Sequence, residues 1–280
     1  MTIPSSLRTV AERLSEMGGI SLGRRSDPDQ LRSLVQSLRV GSAWTNQGII
    51  ELMRVGPDGD GGYLVPCNLD GLKYCFSPGV DRESRFELAL AERGLQVFMA
   101  DASVDGPAAQ HRLFHFQKRF LSSYTDEAHH LLSLTDWLAQ APSSAPGDSI
   151  LQMDIEGAEY EVLHSLNASD LNRFRVIVME LHCLPLLCHA WCFRFMAPAL
   201  RKLLRTHAVI HIHPNNYSTG VEAAGIFLPN FAEFTLVQRS WIKEFRPTEG
   251  SFPHILDRDN VVTNPPLLLP AEWIWRQDQA

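Results

Sequence analysis

No window of the 280 residues approaches the ~18 consecutive apolar residues that a membrane-spanning helix needs. The first residues, MTIPSSLRTVAERLSEMGG, hold no unbroken apolar core and no signal-peptide cleavage pattern. A cytoplasmic protein with no membrane partner is therefore expected. Cysteine is scarce: five residues, an odd count spread along the chain, which is not a disulfide scaffold and reads as reduced thiols. Positive charge is in deficit, with 25 Lys and Arg against 32 Asp and Glu and a net charge of −7, so no nucleic-acid partner is expected. The G-x-G-x-x-G fingerprint of dinucleotide binding is also missing. What remains, 45% hydrophobic and 20% charged residues, describes a soluble globular chain long enough for one large α/β domain or two small ones.

The first fifty residues read as helices. Leu7, Val10, Leu14 and Met17 recur at helical spacing, and Leu31, Leu34, Val35 and Leu38 repeat the pattern after Asp27-Pro28. They form the expected N-terminal cap or arm, residues 1–50. The glycine-rich stretch from Val55 to Pro66 reads as turns. Strand-like and helix-like segments then alternate. Strands are expected at Lys73–Val80, Leu95–Ala100, Leu113–Phe120, Ser149–Ile155, Arg175–Leu181, Ala208–His213 and Phe231–Val237. Helices are expected at Ser84–Arg93, from Thr135 through Leu138, at Ala158–Leu166 and over 190–205. Such alternation predicts a largely parallel sheet covered on both faces, within a main domain at 51–240 and with a packed C-terminal segment at 241–280.

In such sheets ligands bind beyond the carboxyl ends of the strands. Polar residues collect there: Ser77-Pro78-Gly79, Asp101, Asp154 to Gly157, Glu180-Leu181-His182, and His213 to Asn216. Gly79 permits close backbone approach, and Ser84-x-x-Glu87 has capping-box spacing at the start of the next helix. Asp101 follows Gly79 by the ~20 residues expected between a glycine turn and an acid that accepts ribose hydroxyls. With one glycine in the turn, a nucleoside ligand without phosphates, such as S-adenosylmethionine, fits better than a dinucleotide.

The segment Leu151-Gln152-Met153-Asp154-Ile155-Glu156-Gly157-Ala158-Glu159 places D-x-E-G-A-E at a strand–helix junction. This resembles the FkbM family of methyltransferases. Thr135-Asp136-Trp137-Leu138 is similar to the short helix that precedes the junction in that family. Ser77-x-Gly79-Val80 with Ser84-x-Phe86-Glu87, and Asp60-Gly61-Gly62-Tyr63, are similar to elements of some members. The resemblance spans roughly residues 54–237. It implies a class I, Rossmann-like methyltransferase fold: a seven-stranded, mostly parallel sheet with a reversed last hairpin. It also implies S-adenosylmethionine as donor and a hydroxyl of a sugar or natural-product intermediate as acceptor. Carried onto this chain, Ser77, Gly79, Asp81 and Ser84 would line the donor, Asp101 its ribose, and Asp154 its methyl or amino group. Pro78 departs from the commoner glycine-rich loop.

Methyl transfer to oxygen requires alignment and removal of the acceptor proton. His213 and His182 are the candidate bases beside Asp154. His213 is preferred, because Asn215 and Asn216 lie next to it as donors for an acceptor hydroxyl. Glu156 and Glu180 are further candidates for acceptor contacts. Asp154, Glu180 and His182 could instead hold a divalent metal such as Mg²⁺. The grouping His182-Cys183, Cys188-His189 and Cys192 suggests zinc, against which stands the plainer reading of buried thiols one helical turn apart. A small-molecule acceptor is the expected partner, with association into a homo-oligomer left open. The rivals are a nicotinamide-dependent oxidoreductase, which needs a pyrophosphate loop this turn does not supply, and an inactive methyltransferase fold serving as a binding protein, which would not need Asp101, Asp154 and His213.

Overall fold

The computed structural model describes residues 24–142 and 145–277. Seven strands form the main sheet: β1 (Tyr74–Pro78), β2 (Gln96–Ala100), β3 (Phe114–Gln117), β4 (Ser149–Met153), β5 (Phe174–His182), β6 (His207–Pro214) and β7 (Phe231–Gln238). Their order is β3-β2-β1-β4-β5-β7-β6. Pairings from β3 through β5 are parallel, and β7 runs antiparallel to both β5 and β6. This is the seven-stranded α/β sheet with a reversed last hairpin that the resemblance implied.

Alternation within the apolar strands explains why both faces are covered. Phe76, Leu151, Ile177 and Met179 join one core, with Trp137, Leu163 and Leu200. Their strand neighbours Cys75, Ile150, Val176 and Val178 join a second, with Phe86, Leu90, Tyr63 and Val65. The helices are α1 (Pro28–Ser37), α2 (Arg85–Glu92), α3 (Leu134–Leu138), α4 (Glu159–Ser165), α5 (Ala168–Leu171) and α6 (Ala190–Thr206). No described helix is long and apolar enough to cross a membrane.

Several local expectations change. The helix expected at Leu7–Met17 lies outside the described residues. Helix α1 forms where expected, capped by the Asp27 side chain, but Ser42–Thr45 and Gly48–Ile49 are strands. Ser42–Thr45 pairs with Glu244–Arg246, so chain segments from the two ends meet in one small sheet. The stretch expected at Leu113–Phe120 breaks into β3 and a separate strand, Phe120–Ser122. The glycine-rich stretch holds turns up to Gly62, after which Tyr63–Pro66 is a strand paired with Leu52–Val55. This hairpin lies over the second face, fastened by Thr235 Oγ1 donating to Leu64 O at 2.5 Å. The sheet supplied the partners that a local reading lacks.

Candidate functional site

Strand order reverses between β1 and β4, which is where a crevice opens at the carboxyl edge of such a sheet. The turn after β1 is built on Gly79, at φ +80°; a Cβ there would overlap the Asp154 carbonyl oxygen. The Gly79 N–H donates to Ala100 O at 3.0 Å. Asp81 follows at φ +43° and its N–H donates to Asp101 Oδ2 at 2.8 Å. Asp101 Oδ1 accepts from Ser103 N at 2.7 Å and Ser103 Oγ at 2.6 Å. The turn and the acid 22 residues later are therefore in direct contact. A carboxylate offers about four acceptor positions, so one on Oδ2 remains for a ligand hydroxyl.

Two neighbours of this turn do other work than expected. Ser84 does not cap α2: its hydroxyl accepts from Ala109 N at 2.8 Å, and no capping box forms. Ser77 is fully buried and faces inward, with its Oγ 2.5 Å from Glu87 Oε1 and 2.7 Å from Gln152 Oε1. Its hydroxyl is thus engaged inside the domain. Gln152 Nε2 donates to Tyr63 Oη at 3.2 Å, and Tyr63 Oη donates to Asp154 Oδ2 at 3.4 Å. A buried chain of polar contacts thus runs from Glu87 to Asp154.

The D-x-E-G-A-E junction explains itself in three dimensions. The chain leaves β4, passes Glu156 at φ +57° and Gly157 at φ +100°, and enters α4. Glu159, fully buried, folds back so that Oε1 accepts from Ile155 N at 3.2 Å and Gly157 N at 3.1 Å. The same oxygen lies 3.1 Å from His182 Nδ1. The second glutamate of the motif therefore closes the turn and faces the imidazole at the end of β5. His182 Nε2 faces Asp154 Oδ1 at 3.7 Å and Glu156 Oε2 at 3.6 Å. Glu180 Oε1 accepts from Asn215 Nδ2 at 2.8 Å.

Charge crowding sets the proton affinities here. Burial raises Asp154 to about 7, reinforced by Glu159 and Glu156 and opposed by His182. Burial, then Asp154, pushes Glu180 well above the carboxylate range. Burial alone would lower His182, but Glu159, Asp154 and Glu180 hold it up, to about 10. At neutral pH His182 is therefore an imidazolium.

His213 belongs to a different centre. Register places Glu180, Glu233 and His213 abreast on one face of β5, β7 and β6, two strand spacings or roughly 10 Å across. His213 Nδ1 lies 3.5 Å from Asp257 Oδ2, and His211 Nε2 lies 2.9 Å from Asp257 Oδ1. Burial would raise Asp257, but the two imidazoles hold it below the usual carboxylate range. Glu233, raised by burial to about 7, accepts from Asn260 Nδ2 at 2.7 Å. Asn216 donates to Val261 O, and its Oδ1 accepts from Val261 N, so its amide fastens the C-terminal segment. It is not available to an acceptor hydroxyl beside His213. Asn215 is drawn to Glu180 instead.

Tyr63, Gln152, Glu87, Glu233 and Asp257 were not legible as site residues. Glu233 carried one signal, an acid alternating with Thr235 inside an apolar strand. Asp257 carried none. The thiols are not one turn apart on a shared helix, because Cys188 ends a 3-10 turn and Cys192 lies in α6; nor, among the described residues, does the zinc grouping bring three ligand atoms together. Among the described residues, the metal-capable group is Asp154, Glu180 and His182, each offering a ligand atom within 4.8 Å of the others.

No curated protein matches the chain. Among solved structures, the crystal structure of methyltransferase CalO6 aligns with 61% of this chain and 58% of its own, at 10% identity and a TM-score of 0.29. The chain thus spans less than two thirds of that protein, and the likeness is too weak to carry an argument. The family comparison covers β2 through the strand at Gly220–Ala223, including the D-x-E-G-A-E junction, β5 and β6, though not the Gly79 turn. Residues 98–223 match the family model described as methyltransferase FkbM domain, the family that the junction resembles.

Proposed function

We propose that the protein transfers a methyl group from S-adenosylmethionine to a hydroxyl of a small metabolite, a sugar or natural-product intermediate. The observation that carries this reading is the contact between the Gly79–Asp81 turn and Asp101, in a chain whose residues 98–223 match a methyltransferase family model. The turn offers backbone at close range, and Asp101 keeps an acceptor position for a ribose hydroxyl. The donor's methyl would then lie toward Asp154, across the switch point.

The acceptor hydroxyl fits against Asp154, Glu180 and His182. Its oxygen forms the new bond to the methyl carbon, the sulfur–carbon bond breaks with its electron pair to sulfur, and the proton passes to Asp154. His182, already an imidazolium, supplies positive charge to the nascent alkoxide and does not act as base. Asp154 combines a proton affinity near neutrality with partial exposure, its side chain being 22% accessible against 5% for His182. This moves the base from His213 to Asp154.

Calorimetry with S-adenosylhomocysteine tests the donor half. In Asp101→Asn one oxygen becomes an amide that cannot accept from both Asp81 N and Ser103 N. Loss of charge-assisted hydrogen bonding there weakens binding roughly 10–100-fold. His213→Ala, several strands from the turn, leaves binding at the wild-type level. No binding by folded wild-type protein, or equal binding by Asp101→Asn, sinks the reading.

A further inference from the structure

We propose that Asp154, Glu180 and His182 form a binding site for one divalent cation of the Mg²⁺ or Mn²⁺ type. The proposal rests on the acceptor position assigned above and deepens it: the cation takes the place of the His182 Nε2 proton as the positive partner of the carboxylates, so His182 coordinates as the neutral imidazole.

Three observations carry it. First, the strand ends of β4 and β5 bring two carboxylate oxygens and an imidazole nitrogen within 4.8 Å of one another. Ligand atoms around such a cation, at ~2.0–2.4 Å from it, lie roughly 3 Å apart when adjacent and roughly 4–5 Å when opposite. Second, the contacts within the group are too long to be hydrogen bonds. His182 Nε2 stands 3.7 Å from Asp154 Oδ1, although the side chain is 95% buried. The buried imidazole nitrogen thus stands beside Asp154 without bonding it, at a separation that two ligand atoms of one ion also show.

Third, each of the three has a further partner outside the group. Tyr63 Oη donates to Asp154 Oδ2, Asn215 Nδ2 donates to Glu180 Oε1, and the buried Glu159 carboxylate faces His182 Nδ1. Metal ligands are characteristically oriented this way, with a histidine's second nitrogen turned to a carboxylate. Glu159 is itself fixed by two backbone N–H groups of the D-x-E-G-A-E turn. The motif thus prepares one face of the imidazole and leaves Nε2 toward the cluster. Two oxygens and one nitrogen suit a hard cation that retains other oxygen ligands. When bound, the cation would lower the pKa of a hydroxyl placed against it.

The experiment is Mn²⁺ titration of the full chain, followed by electron paramagnetic resonance, without acceptor. One Mn²⁺ per chain is expected, displaced by excess Mg²⁺. Glu180→Gln and His182→Ala each weaken binding at least tenfold. Asp154→Asn, at a part-exposed position, does the same and covers the case in which a buried substitution unfolds the chain. S-adenosylhomocysteine binding is measured on every sample. Wild-type protein that binds S-adenosylhomocysteine but not Mn²⁺ overturns the cation site and leaves the donor reading standing. Undiminished Mn²⁺ binding in the folded variants overturns it equally. Mn²⁺ binding without S-adenosylhomocysteine binding leaves the cation site supported and removes the donor reading.

Discussion

Gly79→Ala is expected to abolish S-adenosylhomocysteine binding and to destabilise the domain by more than about 4 kcal/mol. Two costs add. The residue sits at φ +80°, where a side chain costs ~1–2 kcal/mol. The new Cβ would also overlap the Asp154 carbonyl oxygen and approach Ile155 Cγ2 at 3.3 Å. Neither neighbour can yield cheaply, because Asp154 directly follows the central strand β4 and Ile155 N is bonded to Glu159. The β1 turn must therefore shift away from β4, carrying Asp81 off Asp101 and moving Asp154 relative to His182. Thermal unfolding with calorimetry checks this. A variant with the wild-type midpoint and wild-type binding would show that the close approach of β1 and β4 is not what shapes the donor crevice.

Ser77→Ala is expected to cost about 2–6 kcal/mol, because two buried polar groups then lose their partner at ~1–3 kcal/mol each. Those groups are Glu87 Oε1 and Gln152 Oε1, at 2.5 and 2.7 Å from a hydroxyl with one proton. One proton cannot serve both. Gln152 Nε2 is committed to Tyr63 Oη, so its oxygen receives the Ser77 proton. Glu87 must then be in its acid form and donate to Ser77. Consistently, burial raises Glu87 to about 7, partly opposed by its hydrogen bond to Ser77.

The pH dependence follows. Unfolded, Glu87 titrates near 4.5; folded, near 7. Between these values the folded state binds more protons, so stability is fully present below pH 4.5 and is lost as pH rises through 7. The loss approaches about 3 kcal/mol above pH 7. Glu87→Gln keeps a donor toward Ser77 and removes the titration. Urea unfolding at pH 5 and pH 8 should show wild type losing that increment and the glutamine variant retaining it. Parallel curves would mean that Glu87 is ionised in the folded protein and that the relay to Asp154 is oriented otherwise.

The expected grouping of these residues and the one in the structure differ for definable reasons. Asp154, Glu180 and His182 were legible together because all three lie at or just past the carboxyl ends of β4 and β5, which are adjacent in the sheet. A strand-end position is a property of local sequence once the strands are recognised. His213 was legible as a strand-end residue but misplaced in its company. Its distance from Asp154 depends on β7 inserting between β5 and β6, a long-range pairing with no local signal. The inward bonding of Ser77 was not legible for a related reason. Its position at the end of β1 is local, but the face it presents depends on Glu87 and Gln152 lying beneath it.

The sequence by itself determined the alternation of strands and helices, the apolar runs that require both faces of the sheet to be covered, and the acids and imidazoles at the carboxyl edge. These follow from side-chain periodicity and backbone freedom, which act over a few residues. Only the tertiary structure decided which polar groups share a proton or a prospective cation. Electrostatic coupling depends on separations of a few ångströms between strands that are distant in sequence. The fold alone sets those distances, placing His182 against Asp154 and His213 against Asp257.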